Sequence, residues 1–144
     1  MKNVYITYAQ RTAIGRFAGS LASVRPDDLL AHLFKDFKQK SNWDLQEIDD
    51  VLIGCANQAG EDNRNLGRMS SVLAGLPFEI PGVTLNRLCG SSLDAVMDAT
   101  CKIQAGFHDC ILVGGAESMS RAPYVMSKSE QPFGRAQKIW DTAI

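Results

Sequence analysis

The chain has 144 residues, with 15 Lys and Arg against 16 Asp and Glu, a formal net charge of -1, 45% hydrophobic and 22% charged residues. This balance excludes a disordered chain, and it gives no global electrostatic attraction to nucleic acid or to an anionic membrane. The length suits one domain that buries about 68–70% of its unfolded surface, so the core needs no staples.

Val4-Tyr5-Ile6-Thr7-Tyr8 is rich in β-formers and predicts a strand. A loop containing Gly and Ser follows over residues 11–23. Arg25-Pro26-Asp27-Asp28 opens a helix, because Pro suits the first turn and carboxylates suit its positive end. Leu29, Leu30, Leu33, Phe34 and Phe37 recur at helical spacing, and the helix should stop before Ser41-Asn42. Val51-Leu52-Ile53-Gly54-Cys55 is a short apolar run that predicts a buried parallel strand. Residues 57–65 are polar and form a loop around Gly60. Leu66, Met69, Val72 and Leu73 give a second helical stripe, stopped by Gly75 and Pro77. Val83-Thr84-Leu85-Asn86 predicts a third strand. Leu93, Val96, Met97 and Ile103 mark a third helix that ends at Gly106. Cys110-Ile111-Leu112-Val113 is a fourth strand, closed by Gly114-Gly115.

Strands alternating with helices predict an α/β fold with a mostly parallel sheet and helices on both faces. Sites in such folds lie beyond the carboxyl ends of the strands. After Glu117 the pattern fails, which divides the chain into an α/β domain over residues 1–118 and the start of a second unit over 119–144. Residues 1–6 lack a basic segment followed by an apolar one, so no signal peptide is expected. The longest apolar stretches, residues 51–56 and 110–116, fall well short of the roughly 20 residues that span a bilayer. The cytoplasm is therefore the expected compartment.

The four cysteines, Cys55, Cys89, Cys101 and Cys110, form no Cys-x-x-Cys pair, and the two histidines are not spaced to complete a zinc site. Cys89 stands apart because it falls between a predicted strand and a predicted helix, in Asn86-Arg87-Leu88-Cys89-Gly90-Ser91-Ser92-Leu93. A helix N-terminus presents unpaired N–H groups and about half a positive charge, and both favour the reactive thiolate. Those N–H groups can also stabilise an oxyanion formed when a thiolate attacks a carbonyl. The alternative is a buried small hydrophobe, the usual state of a free cysteine. Cys55, Cys101 and Cys110 lie within apolar elements and read as structural. His32 shares a helix face with Asp28 and Asp36 and reads as a solvated ion-pairing residue. His108 lies in a turn at the amino end of the next strand, so neither histidine is a convincing base for Cys89. Gly114-Gly115-Ala116-Glu117 carries no nucleotide-binding fingerprint; it reads either as a tight turn or as a wall of the pocket around Cys89.

These residues carry a resemblance. The segment 86–92 resembles the active-site segment of the thiolases, enzymes that cleave or form 3-oxoacyl-coenzyme A thioesters. Further matches run in order: Arg11-Thr12 with Ile14-Gly15-Arg16, then Ala74-Gly75-Leu76-Pro77, Pro81-Gly82-Val83-Thr84, and residues 114–123. Residues 54–65 are similar to the 3-oxoadipyl-coenzyme A thiolases of aromatic-compound degradation, whose products are succinyl- and acetyl-coenzyme A. Ala13 stands where the family often has Pro, and Ser92 where many members have Gly.

The resemblance implies that Cys89 accepts the acyl group as a thioester and passes it to coenzyme A, its own N–H forming half of an oxyanion hole. Coenzyme A and a 3-oxoacyl-coenzyme A are then substrates, with no cofactor or metal, and the enzyme is a homodimer or homotetramer. The activating His and a second Cys belong to the family's C-terminal domain, and neither Gly-His-Pro nor Cys-x-Gly-Gly-Gly occurs among these residues. Residues 119–144 would open the family's loop domain, and negligible turnover is expected from the 144 residues alone. The competing readings are a non-catalytic α/β interaction module of the same superfold and a related condensing enzyme such as a 3-oxoacyl synthase.

Overall fold

A computed structural model describes residues 2–57, 60–135 and 137–143. Pro26 at the helix start and Asp27 and Asp28 in the first turn open α1 (Pro26–Lys40), and Lys38 and Lys40 lie at its negative end. The apolar run then becomes β1 (Asp50–Gly54), whose Val51, Leu52 and Ile53 have no exposed surface. α2 (Leu66–Leu73) leads to β2 (Val83–Leu85), and α3 (Ser91–Ala105) leads to β3 (Ile111–Gly115). The three strands form one sheet in the order β2-β1-β3, with both pairings parallel. β1 is central because its run of apolar residues can be buried on both faces.

Alternation along β1 separates two layers. Val51 and Ile53 join the main core with Leu30, Phe34 and Phe37 of α1 and Leu66 of α2. Leu52 is out of phase with them and faces α3, whose buried residues are Ser91, Ala95 and Ala99. Helices thus cover both faces, as the βα alternation predicts.

Three expectations need correction. Residues 4–8 belong to neither sheet, and Tyr5 and Ile6 are exposed. They run beside Val96, Thr100 and Gln104 of α3, and Lys2 pairs with Asp109 at 2.7 Å. Strand-forming residues make a strand only beside a strand edge, and here the neighbour is a helix. The stripe predicted to bury α2 holds only at its start: Leu66 is buried, but Val72 and Leu73 are exposed, and Gly67, Ser70 and Ser71 are buried in their place. α2 lies so close to β2 that a Cβ on Gly67 would come within 2.6 Å of the Val83 carbonyl oxygen. Only small residues fit such a contact, and both serine hydroxyls are satisfied by donating to helix carbonyls, Ser70 to Leu66 at 2.7 Å and Ser71 to Arg68 at 2.8 Å. In α3 the large residues turn outward: Leu93 and Met97 are exposed, and Ala95 and Ala99 are inside.

Beyond Glu117 the chain forms a short 3-10 turn (Met119–Arg121) and an antiparallel pair, β4 (Tyr124–Met126) with β5 (Ile139–Asp141). The sequence predicts neither strand. All three residues of β4 are exposed, so no buried face imposes an alternating pattern.

Candidate active site

β2 ends at Leu85 and α3 begins at Ser91, so five residues must turn the chain from sheet to helix. The turn is tight: Leu88 has φ of 51°, a left-handed conformation that costs a side chain about 1–2 kcal/mol. Five hydrogen bonds hold it, one of them from the Gly90 N–H to the Arg87 carbonyl at 3.1 Å. The Leu88 N–H donates to Asn86 Oδ1 at 2.9 Å, and the Ser91 hydroxyl donates to the Leu88 carbonyl at 2.6 Å. The Ser91 N–H donates to that same carbonyl at 3.1 Å, and the Arg87 N–H donates to Ser91 Oγ at 2.8 Å. Cys89 follows Leu88 and is exposed, one residue before the helix cap Gly90. The expected position between strand and helix is therefore the observed one, and the buried alternative is not.

Two glycines set how deep α3 seats. Gly54 and Gly115 are register partners on β1 and β3. A Cβ on Gly54 would lie 2.6 Å from Ser92 Cα, and a Cβ on Gly115 would overlap the Ser92 hydroxyl. The first turn of α3 therefore rests on bare backbone. Ser92, where many thiolases have Gly, is accommodated because the residue opposite it has no side chain.

The loops after β1 and β3 close around the same end of the sheet. Glu117 accepts from the Ala56 N–H at 2.7 Å and the Asn57 N–H at 3.1 Å. Asn86 Nδ2 donates to the Ala56 carbonyl at 2.8 Å. Cys55 is buried with its Sγ 3.6 Å from Glu117 Oε1, and burial, reinforced by the Glu117 charge, pushes its thiol up to about 12. Of the two readings of residues 114–117, a turn or a pocket wall, the structure gives Glu117 a specific task. Sequence reasoning did not single out Asn86 or Glu117 individually, since neither breaks a periodic pattern.

A second polar group ties distant segments together. Asp27 has no exposed surface and accepts from Arg25 Nε at 2.9 Å; Arg25 also donates to the Glu61 carbonyl. The Glu61 carboxylate takes a two-pronged contact from Arg121, at 2.7 Å and 2.6 Å. The sequence treats Asp27 as a charge at a helix start, yet it is a buried tether.

The remaining candidates fall elsewhere. His108 Nε2 is 3.9 Å from Asp50 Oδ2, at the opposite end of β1 from Gly54. His32 is exposed on α1, and Asp36, its expected neighbour, pairs with Lys40 at 2.7 Å instead. Cys101 is exposed, contrary to the structural role expected of it, because α3 turns its small residues inward. Cys110 is half-buried, and burial raises its thiol pKa. Among the described residues no cluster of His, Cys, Asp and Glu could hold a metal, and no helix is long and apolar enough to cross a membrane.

The profile of the family described as "Thiolase, N-terminal domain" matches residues 4–141. The chain belongs to the thiolase N-terminal domain family. Among its relatives, the beta-ketoadipyl-CoA thiolase of Acinetobacter baylyi is 58% identical over 147 residues, an alignment covering 100% of this chain and 36% of that protein. The 3-oxoadipyl-CoA/3-oxo-5,6-dehydrosuberyl-CoA thiolase of Escherichia coli K12 is 50% identical over 145 residues, again covering 100% and 36%. The crystal structure of Bacillus anthracis acetyl-CoA acetyltransferase superposes with a TM-score of 0.80 and 29% identity, covering 89% of this chain and 32% of that one. The chain thus spans about a third of the length of its relatives, and the α/β thiolase N-terminal fold is shared.

Proposed function

We propose that this chain carries the acyl-accepting nucleophile of a thiolase, Cys89, and that the intact enzyme cleaves 3-oxoadipyl-coenzyme A to succinyl- and acetyl-coenzyme A. The observation that carries the reading is the exposed Cys89 on a strained, hydrogen-bonded turn at the carboxyl end of a parallel sheet. The thiolate attacks the 3-oxo carbonyl, and the adjoining helix start supplies N–H groups, the Cys89 N–H among them, for the oxyanion. Collapse breaks the bond between the α- and β-carbons. Its electron pair leaves on the acetyl-coenzyme A carbon, which takes a proton, and the acyl group stays on Cys89 as a thioester. A second coenzyme A thiol then displaces Cys89. Neither histidine of this chain lies at that end of the sheet; the resemblance assigns the base and the proton donor to the family's C-terminal domain.

Coenzyme A is on this reading a substrate and not a resident cofactor. The substrate choice is supported by the names of the relatives at 58% and 50% identity. We further propose that the α/β domain ends near residue 118 and that residues 119–144 belong to the loop domain, which the change from a parallel sheet to the separate β4–β5 pair supports. A homodimer or homotetramer in the cytoplasm completes the proposal.

The test is acyl capture. The full-length enzyme is incubated with 3-oxoadipyl-coenzyme A without free coenzyme A, quenched in acid and peptide-mapped. A succinyl group on the Cys89 peptide is expected, and Cys89→Ser should lower labelling by at least about a thousandfold, as loss of a nucleophile does. Labelling that persists in Cys89→Ser, or that falls on Cys55, overturns the reading.

A further inference from the structure

We propose that Glu117 is a positioning residue for the Cys89 turn, acting through the Ala56–Asn57 peptide group and the Asn86 side chain. The inference rests on the reading of Cys89 as nucleophile and names what holds it in place. The path is continuous. Glu117 Oε1 accepts from the Asn57 N–H at 3.1 Å, and Oε2 accepts from the Ala56 N–H at 2.7 Å. The Asn57 N–H and the Ala56 carbonyl belong to one peptide group. That carbonyl accepts from Asn86 Nδ2 at 2.8 Å, and Asn86 Oδ1 accepts from the Leu88 N–H at 2.9 Å. Leu88 holds the left-handed φ of 51° immediately before Cys89.

Each link has a chemical reason. A carboxylate draws the N–H of the shared peptide toward itself, which polarises the carbonyl and makes it a better acceptor for Asn86. Asn86 is then fixed at both ends, since rotating its amide by half a turn would set donor against donor at Leu88. The Asn86 acceptor in turn favours the one Leu88 conformation that a side chain avoids. Glu117 comes from the loop after β3, Ala56 from the loop after β1, and Asn86 from the loop after β2, so one carboxylate coordinates all three strand ends. Cys55, its thiol held up at about 12, faces the same carboxylate as a neutral S–H.

The experiment measures iodoacetamide alkylation of each cysteine at pH 7, in the full-length protein, with the exposed Cys101 of α3, the helix that follows the turn, as the control. Glu117→Gln puts an NH2 where acceptors are needed. Asn86→Ser keeps an uncharged acceptor for the Leu88 N–H but no longer reaches Ala56. Each change should slow Cys89 about tenfold, the scale of one lost hydrogen bond, and leave Cys101 unchanged. Because both act on one path, the double variant should be no slower than the slower single one. Removing a negative charge by itself favours a nearby thiolate, so pure electrostatics gives the opposite sign for Glu117→Gln. Cys89 at or above the wild-type rate in Glu117→Gln, multiplicative effects, or Cys101 changing in step with Cys89 would overturn the proposal. If Glu117→Gln does not fold, Asn86→Ser decides: an unchanged Cys89 rate refutes the path, and a slowed Cys89 with normal Cys101 supports it. Wild-type Cys89 reacting no faster than Cys101 is a different result, and it defeats the nucleophile reading itself.

Discussion

At the scale of single residues, the four cysteines differ by environment and not by type. Cys55 sits among buried residues beside the Glu117 carboxylate, and its thiol is pushed up to about 12. At pH 8 that leaves only about one thiolate in ten thousand, against about a quarter for an ordinary cysteine of pKa 8.5. Brief alkylation of the folded protein at pH 8 should therefore label Cys89 and Cys101 and leave Cys55 intact. Peptide mapping checks this, and Cys55 reacting alongside Cys101 would contradict the burial argument. Cys89 was legible from sequence because a strand signal and a helix signal flank it. The Cys101 environment was not legible: its helix carries large apolar residues on one side and small ones on the other, and hydrophobicity alone selects the large side as the interior.

At the scale of elements, that failure has one cause in both α2 and α3. Ordinary amphipathic logic assumes a helix standing about 10 Å from its sheet, with large side chains filling the space. Here Gly67 against β2, and Gly54 and Gly115 beneath α3, bring backbone against backbone. The positions that pack are then Ser70, Ser71, Ala95 and Ala99, which no hydrophobic pattern marks as core. The position of β1 and the start of α1 were readable, because Val51 to Ile53 form an unbroken apolar run and Pro26 is followed by two acids. The packing distance predicts an asymmetry in tolerance. Gly54→Ala should destabilise the fold by about 1–3 kcal/mol through overpacking against Ser92. Val72→Ser, on the exposed side of α2, should change stability by less than about 0.5 kcal/mol in the isolated chain. Urea midpoints compare the two, and equal losses would show that the glycine contact does not set the helix position.

At the scale of the whole molecule, acidic residues join segments far apart in sequence. Glu61 lies below its ordinary value of 4.5, chiefly because Arg121 donates to it. Asp49 lies below its ordinary 3.8 because the Cys110 and Asp109 N–H groups donate to it, at 3.0 Å and 2.7 Å. Both groups are more acidic folded than unfolded. Their stabilisation is complete above those ordinary values and is lost as the pH falls through the lower folded ones. Melting temperature should hold down to about pH 5 and then fall. Glu61→Gln should lower it at pH 7 and flatten the fall below the ordinary glutamate value of 4.5; an unchanged slope would refute the Glu61 contribution. The strand order carries a different consequence, one of timing. The central strand β1 is made first, yet its partner β2 begins at Val83 and β3 ends only at Gly115, 61 residues after Gly54. At about 5–20 residues per second, a ribosome leaves this apolar strand without its second neighbour for roughly 3–12 seconds. During synthesis β1 is thus a segment for which a chaperone has seconds to compete.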